Sequence, residues 1–466
     1  MSYLNLTRII DLPLLSKGLR LIALFIFFSS LYGCAASRTA HVESLPFPGQ
    51  REEEIARREL PEEKSERYVL PEEQIERNEF LAAKEDDVIG RLAVIRLEEG
   101  DSLPDIARHF SLGIDEISAA NPGVDVWVPE AGKRIVLPLS FILPEGLRKG
   151  IVINLAALRL FHFKGDGKSS LTVSTYPVGI GTTERPSPRG QMYVARRMTR
   201  PTWHVPASIA EDHRKKGDPL PAKVLPGPLN PLGEYALYLS KASYLIHGTN
   251  KPASIGLRAT NGCIRLYPEN IKKLYEDTPV KTPVSIVNQP YLVGQRKGVV
   301  YLEVHAPLED LDPGELDKLY AKLKNIEKKA VRSLDWKKVE TALAEARGIP
   351  VPIFESDPGS AKGTAEAVEV THPDKFYGQP EIPELKTEAW YVLAADLRDE
   401  INAVRLAAII NHQGPQIPAR VVSRSDSHRV LAGPFQEIKE AKNAAKRLKI
   451  DLEIEGVLIK PDKKKR

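Results

Sequence analysis

The sequence predicts a multidomain chain: a small βααβ domain, a mostly-β domain with one helical element, and a C-terminal α+β domain in ferredoxin-like order. Three observations carry that expectation. The 466 residues suit about three domains. Hydrophobic patterning runs strand, helix, helix, strand over residues 90–140, then turns to short strands punctuated by Pro and Gly over residues 149–290. Finally, residues 387–462 carry two successive strand–helix–strand patterns.

Composition permits sizeable cores, with 42% hydrophobic residues. Net charge is +4, from 66 basic and 62 acidic residues, and nothing in that balance asks for nucleic acid. Lys17 and Arg20 precede the apolar run Leu21 to Leu31, and small residues follow, which reads as a secretory signal over residues 1–33. Leu31-Tyr32-Gly33-Cys34 resembles the bacterial lipobox. That resemblance implies that Cys34 becomes the lipidated first residue; the alternative is ordinary cleavage near Ala35 or Ala36. Residues 34–88 are rich in Glu and Arg, with the near-repeat LPEEKSERYV and LPEEQIERNE, and read as a charged tether.

In residues 90–140, AVIRL alternates as a strand, and GDSLPDIARHF places Leu103, Ile106, Ala107 and Phe110 at helical spacing, with Ser102 as cap and Pro104 in the first turn. IDEISAAN gives a second helix and KRIVLP a closing strand. With "GDSL..IA..F" and "I..AN", the segment resembles the LysM module, which implies binding to N-acetylglucosamine-containing glycan; the alternative is a packing domain without ligand.

In residues 149–290, IVINLAALRLFHF reads as a hairpin, and TVSTYPVGIG, QMYVARRM, YALYLSKASYLIHGT and TPVSIVNQ as further strands. A helix begins at Pro268 with Ile271, Leu274 and Tyr275 on one face. The long segment from Trp203 to Gly233 reads as a lid or binding wall. Residues 291–348 read as a helical extension and 349–386 as a Pro- and Glu-rich linker. In the last domain, HRVLAGPFQEIKEAKNAAKRL resembles the SPOR domain, which binds peptidoglycan glycan stripped of peptides; the alternative is a ferredoxin-like domain that binds protein.

The chain has two cysteines, so a lipidated Cys34 leaves Cys263 without a disulfide partner. A lone cysteine in an exported protein is either a buried small hydrophobe or a used thiol. The surroundings of Cys263 favour use. A strand ends in YLIHGT, and a Gly-rich return leads to the tight turn Asn261-Gly262-Cys263, sixteen residues after His247. An imidazole supplies a base and turn amides can face a developing oxyanion, which is enough for acyl transfer through a thioester. Arg265 can bind a carboxylate or hold the loop.

The string IHGT…SIGLRATNGCIRLYPENI closely resembles the L,D-transpeptidase (YkuD) catalytic motif, in the subgroup with an N-terminal LysM module. The resemblance implies Cys263 as nucleophile, His247 as base, the Gly248 carbonyl as the group that orients the imidazole, and the Gly262 and Cys263 amides as oxyanion hole. It implies substrate or loop contacts from Arg265 and Thr260, with Asn261 where many members have histidine. Trp203 either walls the groove or belongs to the core, and His204 and His213 lie in the lid. The implied reaction cuts a peptidoglycan tetrapeptide stem at diaminopimelate, releases D-Ala and passes the acyl group to an amine of another stem or of an outer-membrane lipoprotein. No metal or cofactor is called for. Water as acceptor would make a carboxypeptidase or hydrolase, and a wall-binding scaffold without catalysis is the rival class. The expected place is the periplasmic envelope, lipid-anchored at the outer membrane, with stem peptides and glycan strands as partners.

Overall fold

The computed structural model describes residues 69–83, 85–146, 148–165, 170–309, 311–355 and 367–461. The expected signal segment, Cys34 and most of the tether lie outside the described residues. Among the described residues, no helix is long and apolar enough to cross a membrane.

The βααβ segment forms as its patterning predicts. Strand Ala93–Arg96 pairs antiparallel with Arg134–Leu137, and helices α1 (Leu103–His109) and α2 (Ile114–Ala120) lie between them in sequence. Ser102 caps α1 by accepting from the Asp105 amide, and the apolar stripe Leu103, Ile106, Ala107 and Phe110 is fully buried.

The catalytic-motif domain is built on a nine-stranded mixed sheet. Its order from one edge is Ile264–Arg265, Leu245–His247, Tyr235–Leu239, Gly190–Thr199, Pro283–Val287, Gly150–Asn154, Arg159–Lys164, Ser170–Pro177 and Glu79–Ala83. The first two strands run parallel, with Ile246 opposite Ile264 and His247 opposite Arg265. Helix α4 (Pro268–Asp277) starts on its proline and buries Ile271 and Leu274 in the core beside Leu237, Ile246 and Ile264.

Three expectations about the connecting segments are corrected. The tether ends before residue 88, because Glu79–Ala83 alternates out-in-out and pairs antiparallel with Ser170–Pro177, burying Phe80 and Ala82. The linker is part of a sheet. Val368–Val370 lies between Val69–Leu70 and Ala93–Arg96, parallel to both. The extension is helical only in its second half: Tyr291–Arg296 and Val299–Val304 form an antiparallel hairpin on which α5 (Glu315–Ala330) and α6 (Trp336–Glu345) pack.

The C-terminal domain runs strand, α7 (Glu400–Asn411), two strands, α8 (Ile438–Leu452), strand. Its antiparallel sheet has the spatial order Ala419–Arg424, Ser427–Phe435, Trp390–Leu397, Val457–Ile459, the ferredoxin-like arrangement.

The βααβ segment is bolted to the large sheet by a buried ion pair. Arg159 donates to both oxygens of Glu116 at 2.9 and 2.6 Å, and also to Ser111 O. Their side chains are 1% and 8% exposed. Glu116 also accepts from the Gly113 amide, so one carboxylate closes the α2 N-terminus and neutralises the arginine. Beside this bolt, Gly256 adopts φ +80°, and a Cβ there would stand 2.4 Å from Gly113 Cα. Two backbones meet at that point, and only glycine fits.

Candidate active site

Two short parallel strands create the site. In this register Cys263 lies beside Leu245, one residue ahead of the Ile264–Ile246 pair. Side chains alternate along a strand, so Cys263 and Arg265 share the face carrying Leu245 and His247. The imidazole is thus one diagonal step from the thiol.

His247 is buried, and its Nδ1 lies 2.7 Å from the Gly248 carbonyl. A carbonyl only accepts, so Nδ1 carries the proton and Nε2 keeps its lone pair. Burial, reinforced by the charge of Arg265, lowers the His247 pKa to about 3, against the opposing pull of the Gly248 and Leu232 carbonyls. The ring is neutral at pH 7.

Cys263 is half-buried, and its Sγ lies 3.7 Å from Ser243 O. Burial pushes its thiol pKa up, while the Leu245 backbone and Arg265 favour the thiolate. Burial therefore favours the neutral form of both partners. The pair rests as thiol and imidazole and can make thiolate by proton transfer as the sulfur reacts.

Arg265 is buried too, and burial lowers its pKa to about 10. Nη1 donates to Ser254 Oγ at 2.8 Å, whereas the buried Nε has no protein acceptor. The guanidinium is thus partly satisfied and retains capacity for a carboxylate.

The turn itself is held by Thr260. Its Oγ1 donates to the Cys263 carbonyl at 2.6 Å and accepts from the Gly262 amide at 3.1 Å. This corrects the expected oxyanion hole, because the Gly262 N–H is committed inside the loop. Gly262 has φ +100°, and a Cβ there would meet the Tyr244 ring at 2.9 Å, so the turn again requires glycine.

Asn261 accepts from Arg185, whose other nitrogen donates to Asp212 at 2.5 Å. Asp212 lies on α3 (Ala207–Lys215), a helix within the segment read as a lid or binding wall. Trp203–His204 pairs with Lys223–Val224, so a hairpin carries that helix. His213 is buried on α3 against Asp218 at 3.3 Å, while His204 is exposed. Trp203 is half-buried and lines a cavity of about 190 Å³ rather than the core. Sequence reasoning missed Arg185 and Tyr244, in loops, and Ser254, in the short 3-10 helix Pro252–Ser254; all three join the site only through the fold.

The L,D-transpeptidase catalytic domain family, YkuD, matches residues 148–286, and the SPOR domain family matches residues 386–460. "Probable L,D-transpeptidase ErfK/SrfK" of Escherichia coli K12 is 39% identical over 225 residues, 47% of this chain and 71% of that protein. The chain belongs to the L,D-transpeptidase family. "Probable L,D-transpeptidase YbiS" of the same organism is 40% identical over 47% of this chain and 72% of its own length. "Probable L,D-transpeptidase YcfS" is 40% identical over 46% and 67%. The chain is an enzyme of peptidoglycan L,D-transpeptidation with a C-terminal SPOR domain, and it works on the cell wall.

Proposed function

We propose that Cys263 is the nucleophile and His247 the base that activates it. Nε2 takes the Sγ proton as the sulfur attacks the diaminopimelate carbonyl of a tetrapeptide stem. The C–N bond to D-Ala breaks, and the imidazolium returns that proton to the departing amine. An acceptor amine then attacks the thioester, its proton passes to His247, and the C–S bond breaks to regenerate the thiol. The Cys263 amide faces the oxyanion, Thr260 and Gly262 keep the turn in shape, and Arg265 steadies a substrate carboxylate. The observation that carries this reading is the His247–Gly248 clamp, which leaves Nε2 unprotonated on the face that Cys263 shares.

The acceptor is an amine of a second stem or of an outer-membrane lipoprotein lysine. Further parts of the proposal rest on sequence resemblance: lipidation at Cys34, anchoring at the outer membrane, glycan binding by the LysM-like βααβ domain, and denuded glycan as the ligand of the SPOR domain. Together these would hold the enzyme on its polymer and raise local substrate concentration.

The test is mass spectrometry of muropeptides after incubation with disaccharide-tetrapeptide, with Cys263→Ala in parallel. Release of D-Ala with a dimer joined through two diaminopimelates supports the stem acceptor. Release without dimer points to water, or to a lipoprotein that must be added. Equal turnover by Cys263→Ala would end the cysteine mechanism.

A further inference from the structure

The cavity beside Trp203 is shared between two domains. One side comes from the lid hairpin and the loop after the catalytic histidine, through Trp203, Asp218 and Asn250. The other comes from the SPOR domain, through Gly414, Lys446 and Asp451. Lys446 donates to Asp218 across the junction at 2.7 Å. The approach is tightest at Gly414, where a Cβ would stand 1.9 Å from the Asn250 carbonyl oxygen.

Three features define what fits. The first is size: about 190 Å³ lies below the ~300 Å³ at which drug-sized pockets begin, and it suits a single ring. The second is a chemical division. Trp203 offers an apolar face, whereas Asp218, Asp451 and Lys446 offer acceptors and a donor. The third is an unmet need. Asn250 Nδ2 donates to Pro228 O at 3.2 Å, but the buried Oδ1 has no protein donor. A buried acceptor left so is unfavourable, and a ligand N–H or O–H would relieve it.

A pyranose ring with an apolar face, hydroxyl groups and an acetamide N–H meets all three. We infer that this junction is a hexosamine subsite, built jointly by the lid and the SPOR domain, for the sugar that bears the stem peptide. The inference rests on the peptidoglycan reading of the active site and adds a place for the glycan. Asn250 is two residues beyond Gly248, whose carbonyl fixes His247, so sugar binding and the catalytic base share one loop. The SPOR domain thereby takes part in choosing the substrate as well as holding the enzyme to the wall.

The test compares kcat/KM of the full chain on disaccharide-tetrapeptide and on the same tetrapeptide without sugar. The wild-type chain should prefer the sugar-bearing substrate. That preference should fall at least tenfold in Trp203→Ala and Asn250→Leu, fall in Gly414→Ala as the walls are forced apart, and survive in Trp203→Phe. Peptide-free GlcNAc–MurNAc disaccharide should compete with the wild type and lose potency against Asn250→Leu. No wild-type preference, or one unchanged in all the variants, would overturn the subsite while leaving the cysteine chemistry intact. A wild-type chain that releases D-Ala from neither substrate would overturn the active-site reading instead.

Discussion

His247 and Arg265 face each other across a parallel strand pair, and the buried guanidinium helps to keep the imidazole neutral. The same guanidinium favours the thiolate of Cys263. One cation thus eases ionisation of the nucleophile and keeps the base unprotonated, while weakening the hold of the imidazole on the proton it takes.

The first consequence concerns the resting thiol. Because burial raises its pKa, alkylation of Cys263 by iodoacetamide in the free enzyme should be slow at pH 7 and climb only in alkaline buffer. A rate that is already maximal at pH 6 would mean a preformed thiolate–imidazolium pair.

Replacing Arg265 removes the cation from both groups. In Arg265→Met the imidazole pKa should rise and the thiol pKa should rise further. NMR titration of His247 and the pH profile of alkylation measure the two directly. Unchanged values for both would show that Arg265 acts by packing alone.

Stability should fall in mild acid. Burial holds His247 at about 3 and His162 at about 4, both below the unfolded value of 6.5. Between those limits the unfolded chain binds more protons, so stability declines as pH drops through 6.5. At pH 5 each histidine costs about 2 kcal/mol. Urea midpoints at pH 7.5 and 5 check the slope, and His162→Gln should flatten it.

The Arg159–Glu116 bolt predicts a large single-mutant effect. Arg159→Met leaves Glu116 buried without its cation and should cost about 3–5 kcal/mol, read as a lower urea midpoint. Arg159→Met with Glu116→Leu should recover much of the loss, since no charge then remains buried.

Arg185 joins the catalytic turn to α3, so Arg185→Ala should lower kcat more than it raises KM by letting the turn drift. Asp212→Asn alone should give a smaller effect of the same kind. Steady-state kinetics on disaccharide-tetrapeptide separates the two constants.

Much of the catalytic loop was legible because its chemistry is local. His247, Gly248 and the Thr260–Arg265 turn are read within one stretch, and the strand periodicity around them is clear. Long-range pairing was not legible. Glu79–Ala83 looks like part of a charged run until Ser170–Pro177 gives its alternate residues a core. Helix α3 buries only Ile209 and His213, too narrow a stripe to stand out from a proline-rich segment. The Gly262 amide looked available because a motif does not reveal that Thr260 Oγ1 turns inward to take it. Arg185 is seventy-six positions from Asn261, a distance no local pattern spans.

The strand Val368–Val370 sits inside the sheet of the βααβ segment, between Val69–Leu70 and Ala93–Arg96. A chain that emerges N-terminus first exposes one edge of Ala93–Arg96 until residue 370 arrives. An open edge of that kind invites pairing with foreign strands. The segment that emerges early is therefore completed late, and its maturation waits on emergence of the whole catalytic domain.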